Sequence, residues 1–218
     1  MPHDLTPPRS SPRARRVLLR LGIGSVLAAL TLGIVAWRLA APPGEPPDYS
    51  GARPALADDG YVSVTHSIHI DAAPEHVWAS GNDPNLSLED IVQFDNGFPA
   101  VETTQPLVGD WIPGDRAGDR RWVRFEDAHY LAEEVLVDDH DVFRYQIWGF
   151  TSMQRFAVRH GVAEFRYQVE GDGTRLSWTY SLLPTTPILS GALRAFLDST
   201  MTPMMQATLA GLRDRAEA

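Results

Sequence analysis

Residues 62–80 read VSVTHSIHIDAAPEHVWAS, a strand that turns directly into a helix. Up to Ile70 the chain alternates: Val62, Val64, His66, Ile68 and Ile70 share one face, the period of a strand with one side buried. Then the alternation stops. Asp71 offers an acidic cap, Pro74 a first-turn proline and Glu75 a carboxylate close behind, which together open a helix. It is expected to end near Ser80-Gly81-Asn82-Asp83-Pro84, with a second brief helix around residues 86–92.

Downstream, strand-like runs fall at residues 120–125, 130–137, 142–148, 162–170 and 175–182, with a weaker one near 100–104. The turn signals between them are Glu126-Asp127-Ala128, Asp138-Asp139-His140-Asp141 and Gly171-Asp172-Gly173. Spacing this short implies antiparallel hairpins in sequence. A long helix over residues 187–215 closes the chain. Its expected apolar face carries Leu189, Leu193, Phe196, Thr200, Met204, Thr208 and Leu212, with Pro203 breaking its middle. The order is that of an α+β domain.

Upstream, residues 21–37 (LGIGSVLAALTLGIVAW) hold seventeen uncharged residues. As a helix they rise about 25 Å, slightly short of a ~30 Å hydrocarbon core. Arg20 and Arg38 snorkelling to the headgroups extends the reach. Five arginines precede the run, so the positive-inside rule leaves a cytoplasmic tail (1–16), a single-pass anchor (17–40) and an extracytoplasmic domain. Two other readings stay open. Arg15-Arg16-Val17-Leu18-Leu19-Arg20 resembles a twin-arginine export signal, although the small-residue cleavage site is poor. The run also suits a buried helix. Residues 41–60 are rich in proline and read as an extended spacer that does not pack, ahead of a domain over 61–218.

The total charge is −9. Residues 1–40 carry a net +5, so the remainder carries −14, a poor match for a phosphate backbone; nucleic acid is not an expected partner. All nineteen basic residues are arginine. The absence of lysine excludes Schiff-base chemistry and a P-loop. The absence of cysteine excludes thiol nucleophiles, disulfides and thiolate metal sites. No G-x-S-x-G or H-E-x-x-H motif occurs. No cofactor or metal is expected.

The segment VSVTHSIHIDAAPEHVWAS strongly resembles the opening of the helix-grip (SRPBCC) superfamily, which includes START domains, Bet v 1 and polyketide cyclase/dehydrase-like proteins. Residues 133–145 (EEVLVDDHDVFRY) resemble its central hairpin, and residues 173–178 (GTRLSW) its penultimate strand. The resemblance spans about residues 61–215. It implies a curved antiparallel sheet around a long C-terminal helix, a cavity between them, and a hydrophobic small molecule or lipid as ligand. It transfers no catalytic residue.

The residues themselves offer two catalytic candidates. His66, on the apolar face, suits a general acid–base or a core-edge histidine bonded to a neighbour. Glu133, if it faces inward, suits a cavity carboxylate, or half of a cross-strand pair with Arg121; Glu134 is the candidate if the pleat runs the other way. Tyr145, Trp178 and Tyr180 on apolar strand faces, and Phe196 and Met204 on the last helix, are candidate ligand contacts or core packing. Asp138-Asp139-His140-Asp141 reads as a solvated turn rather than a metal site. His129 and His160 read as surface or strand histidines. Three functions follow from this inventory. One is a membrane-tethered binding or transfer module. Another is a cyclase/dehydratase-like enzyme with His66 or Glu133 as base and Arg121 or Tyr145 steadying an enolate. The third is a filled-core partner-binding domain.

Overall fold

The computed structural model describes residues 40–83, 85–92 and 98–218. Among these no helix is long and apolar enough to cross a membrane. The expected basic tail (1–16) and all but the last residue of the expected anchor (17–40) lie outside them. Residues 42–218 form one compact unit.

The alternating run becomes β1 (Val62–Ile70). The turn into α1 (Pro74–Gly81) uses Pro74 in the first turn as expected, but Ala73 holds the cap position and Asp71 does not. α2 (Leu88–Ile91) is a single turn closed by a capping box, with the Asp90 carboxylate accepting from the Ser87 backbone and hydroxyl. Six strands follow: β2 (Val101–Val108), β3 (Arg120–Phe125), β4 (Tyr130–Asp138), β5 (Val142–Trp148), β6 (Val158–Glu170) and β7 (Gly173–Pro184). They join β1 in one antiparallel sheet, ordered β1-β7-β6-β5-β4-β3-β2. β2 is longer than the sequence suggests because Pro106 masks it, and an edge strand tolerates the missing N–H.

The closing helix runs as α3 (Ser190–Phe196), a π turn over Leu197–Met201, and α4 (Thr202–Ala216). Pro203 cannot donate to a carbonyl four residues back, and the wide turn just before it absorbs that defect without breaking the helix. It also shifts the buried stripe. Leu193, Met204, Thr208 and Leu212 of the expected face are buried, joined by Leu197, Met201, Met205 and Leu209, whereas Leu189, Phe196 and Thr200 are only half-buried. This stripe packs on Val62, Ile70, Val77, Phe165, Leu176 and Trp178 of the sheet and α1.

The proline-rich stretch does not stand free, a correction to the expected spacer. Tyr49 is buried against Tyr130, Ala132 and Trp148 on the outer face of the sheet. Its hydroxyl donates to the Gly149 carbonyl at 2.8 Å. Gly149 has φ +69°, and a Cβ there would lie 2.4 Å from the Tyr49 ring, so glycine is required for the close approach. Arg53 donates to Glu134 at 2.6 Å and to the Gln146 side chain at 2.9 Å. Arg120 reaches up from β3 to the carbonyls of Tyr49 and Gly51. Tyr61 closes the strap, its hydroxyl taking the Ala57 N–H and meeting His160 Nε2 at 2.7 Å. His160 is fully buried within β6, a strand histidine rather than a surface one.

Because Arg53 is partly exposed, Arg53→Ala should cost only about 1 kcal/mol, a fall in Tm of about 2–4 °C. Thermolysin cleavage within residues 42–60 should nevertheless accelerate several-fold. Unchanged cleavage would mean that Arg53 does not hold the strap.

Candidate functional site

The pleat sends adjacent glutamates of β4 to opposite faces. Glu134 points outward to Arg53 and Arg120; Glu133 points inward, among Leu131 and Val135. β3 pairs with β4 so that Arg121 lies opposite Glu133. Arg121 Nε donates to Glu133 Oε2 at 2.7 Å, and a second guanidinium nitrogen lies 2.6 Å from the same oxygen. Both side chains are largely buried. The Arg121 guanidinium also lies 4.1 Å from the centre of the Trp111 ring. Trp111 adopts φ +55°, uncommon for a bulky residue, and its N–H is held by Asp119 at 2.7 Å.

A second arginine–carboxylate pair flanks the first. Arg116 grips Asp138 through Nε at 2.8 Å and a terminal nitrogen at 2.7 Å, and Asp138 also accepts the backbone N–H groups of Gly114 and Arg116. The same guanidinium donates to Asn82 at 2.6 Å and lies 4.2 Å from the centre of the Phe143 ring. Asp138 is therefore not part of a solvated turn, as expected from sequence, but the buried end of β4. Burial alone would raise its pKa; the hydrogen bonds from Arg116 outweigh that and lower it. Tyr167 beside them is pushed up to about 12 by burial, with its bond to Asn82 opposing.

Two chambers adjoin these pairs. The first, about 370 Å³, is bounded by Arg116, Arg121, Trp111, Ile91 and Leu212, and reaches the surface at Asp110 and Ile112. The second, about 80 Å³, holds Glu133, Tyr180, Phe196 and Met204. They share Leu88, Val92, Tyr145 and Trp178 in their walls. Seven of the eight ligand candidates thus converge: Arg121, Glu133, Tyr145, Trp178, Tyr180, Phe196 and Met204. His66 does not. It faces the terminal helix, where its Nε2 meets the Thr202 hydroxyl at 2.9 Å, and it lines none of these walls.

The Tyr145 and Tyr180 hydroxyls have no hydrogen-bond partner among the described residues. The Trp178 Nε1 is buried and unpartnered in the same sense, its ring stacked on Phe165 at 4.6 Å. Burial first, and then the neighbouring Glu133 charge, raise both tyrosines well above the ordinary phenol range, so they stay protonated donors. The walls are largely apolar with a few uncharged donors, and each guanidinium is already neutralised. Sequence reasoning missed Arg116, Asp138, Asn82 and Trp111, because three of them sit in connections whose side-chain direction has no period to read.

A family model described as polyketide cyclase/dehydrase and lipid transport matches residues 61–217. No curated protein matches the chain by sequence. Among solved structures, the chain is similar to a norcoclaurine synthase point mutant of Thalictrum flavum in complex with a transition-state analogue. That match has a TM-score of 0.56 at 15% identity, over 72% of this chain and 94% of that one. It is also similar to the Zhui aromatase/cyclase of a Streptomyces species, with a TM-score of 0.52 at 18% identity over 72% and 94% of the two chains. A protein from Thermus thermophilus matches with a TM-score of 0.50 at 22% identity, over 71% and 97%. At these identities the likeness shows the fold alone.

Glu133→Ala should destabilise the domain by about 3–5 kcal/mol, since it strands a buried guanidinium. The double variant R121M/E133M should recover most of that loss in denaturant unfolding. If both variants cost the same, the pair is not what makes the single change expensive. Asp138, with its folded pKa depressed, contributes stability that is present above the unfolded carboxylate value near ~4 and lost as pH falls through the folded value. Asp138→Asn should therefore flatten the acid limb of stability against pH; parallel limbs would contradict it.

Proposed function

The chain belongs to the polyketide cyclase/dehydrase and lipid transport family, and from that premise we propose that its domain binds a neutral, hydrophobic small molecule or lipid in the two chambers. One observation carries the reading: the buried Trp178 Nε1 has no partner among the described residues, and Tyr145 and Tyr180 line the same apolar enclosure with hydroxyls that make no hydrogen bond there, beside two charge pairs that are each already neutral. Buried donors ordinarily have partners. A ligand that presents acceptor oxygens to those donors and rings or chains to the remaining wall satisfies them. An anion gains nothing from an arginine that is already paired. The proposal includes the tether: residues 17–40 anchor the chain in a membrane, with the domain on the extracytoplasmic side.

A cyclase/dehydratase-like enzyme is the second reading, favoured by the placement of a carboxylate with two protonated tyrosines. His66 has no part in it. Glu133 is the remaining base, and to act it must first release Arg121, which lowers the prospects of that chemistry. The filled-core reading loses support from the open volume beside Tyr145 and Trp178.

Nile red, a neutral probe with a carbonyl acceptor, tests the binding reading on residues 42–218, which have their own sheet and core. It should bind, and Tyr145→Phe and Tyr180→Phe should each weaken it about 2–10-fold, the worth of one hydrogen bond. Ile91→Trp should block the first chamber at unchanged Tm. Binding unaffected by all three substitutions would place the probe elsewhere and sink the reading.

A further inference from the structure

The 3₁₀ turn Met153–Phe156, between β5 and β6, exposes both of its end residues, Met153 by 59% and Phe156 by 47%. Three residues apart in a 3₁₀ turn, they point the same way. The segment before α3 lies beside them: Thr185 donates from its N–H to the Ala157 carbonyl at 2.9 Å and from its hydroxyl to the Phe156 carbonyl at 2.8 Å. Ile188, on the short turn that follows, is 89% exposed. Large apolar side chains grouped on one corner, with no cover from the described residues, are unusual for a surface otherwise so acidic.

Arginine predominates in the segments that form this corner, although Asp127 lines the third cavity beside it and Asp198 follows Leu197. Residues 149–160 and 183–197 carry Arg155, Arg159 and Arg194 and no carboxylate, in a region whose net charge is −14. The Arg155 guanidinium lies 4.8 Å from the centre of the Phe156 ring. A third cavity, about 350 Å³, opens beside Met153 and shares Phe98, Phe150 and Phe196 with the second chamber.

The strap supplies the last observation. Tyr49 is fastened to Gly149, which stands four residues before Met153 in the chain. Only eleven residues, 38–48, separate Tyr49 from the end of the apolar run at Trp37. Fully extended they span at most about 40 Å.

We propose that this corner is a bilayer-docking surface, with Met153, Phe156 and Ile188 entering the lipid and Arg155, Arg159 and Arg194 meeting anionic headgroups. The arrangement is that of an interfacial anchor, apolar tips with cationic flanks, and the surface charge of an anionic leaflet favours it. It turns the third cavity toward the lipid, the direction from which a lipid-borne ligand would come. The inference rests on the tether of the proposed function but not on the nature of the ligand.

The chain has no cysteine, so single labels are easily introduced. Met153→Cys, Phe156→Cys and, as control, Val169→Cys on the exposed end of β6 would each carry a nitrobenzoxadiazole label on the full chain. The vesicles are phosphatidylcholine and phosphatidylglycerol in equal parts, with spin-labelled lipid as quencher. The expected result is at least twofold quenching at positions 153 and 156, none at 169, and less at 153 and 156 without phosphatidylglycerol. A chain that floats with the vesicles while all three labels stay in water overturns the docking surface and leaves the tether standing. A chain that does not float overturns both. Blue-shifted labels at 153 and 156 before any lipid is added show that a second copy of the chain covers the corner, which also overturns the proposal.

Discussion

The register of β3 on β4 governs both faces of this sheet. Two consecutive arginines lie opposite two consecutive glutamates, and the pleat separates them into an inner pair, Arg121–Glu133, and an outer pair, Arg120–Glu134. A slip of one residue would exchange every one of these side chains between core and solvent. Buried ion pairs contribute little net stability, because desolvation offsets most of their attraction. Their value here is positional. The inner pair sets the polarity of the cavity wall, and the outer pair, joined by Arg53, holds the strap.

The cavity follows from the same constraint. Each inward guanidinium is saturated by its own carboxylate and covered by an aromatic ring, Arg121 by Trp111 and Arg116 by Phe143. What is left unsatisfied is uncharged: two phenols and an indole N–H. That combination distinguishes this enclosure from an anion site, where free arginine would face the ligand. It also explains why the tyrosines remain protonated, since burial and a neighbouring carboxylate act on both in the same direction.

Much of this was legible in the sequence where a period or a punctuating residue exists. The alternation of β1, the hairpin spacing of the meander and the pairing of an arginine of β3 with a glutamate of β4 all follow from a repeat of two; which of the two glutamates faces inward does not. The terminal helix was legible in extent and in part of its face: Leu193, Met204, Thr208 and Leu212 are buried, while the π turn, with less rotation per residue than the constant 100° of an α-helix, leaves Leu189, Phe196 and Thr200 only half-buried. His66 shows where a period of two stops being informative. Its face was read correctly, yet a face does not distinguish the space under a helix from the helix itself, and Thr202 occupies that spot. Arg116 and Trp111 were invisible because they sit in the connection between β2 and β3, where backbone geometry rather than alternation aims the side chain. The proline-rich strap misled for a related reason: its composition cannot build a core of its own, but it packs on a core that the sheet already provides.

That strap gives the segment ahead of the sheet two lengths. Closed, that segment begins at Tyr49. Peeled from Gly149, Glu134 and Gln146, it would begin near Tyr61 and lengthen by twelve residues, about 40 Å at full extension. A pull along the chain would load the Tyr49 and Arg53 contacts before any strand of the sheet. The domain would therefore give slack under tension while its interior stayed intact.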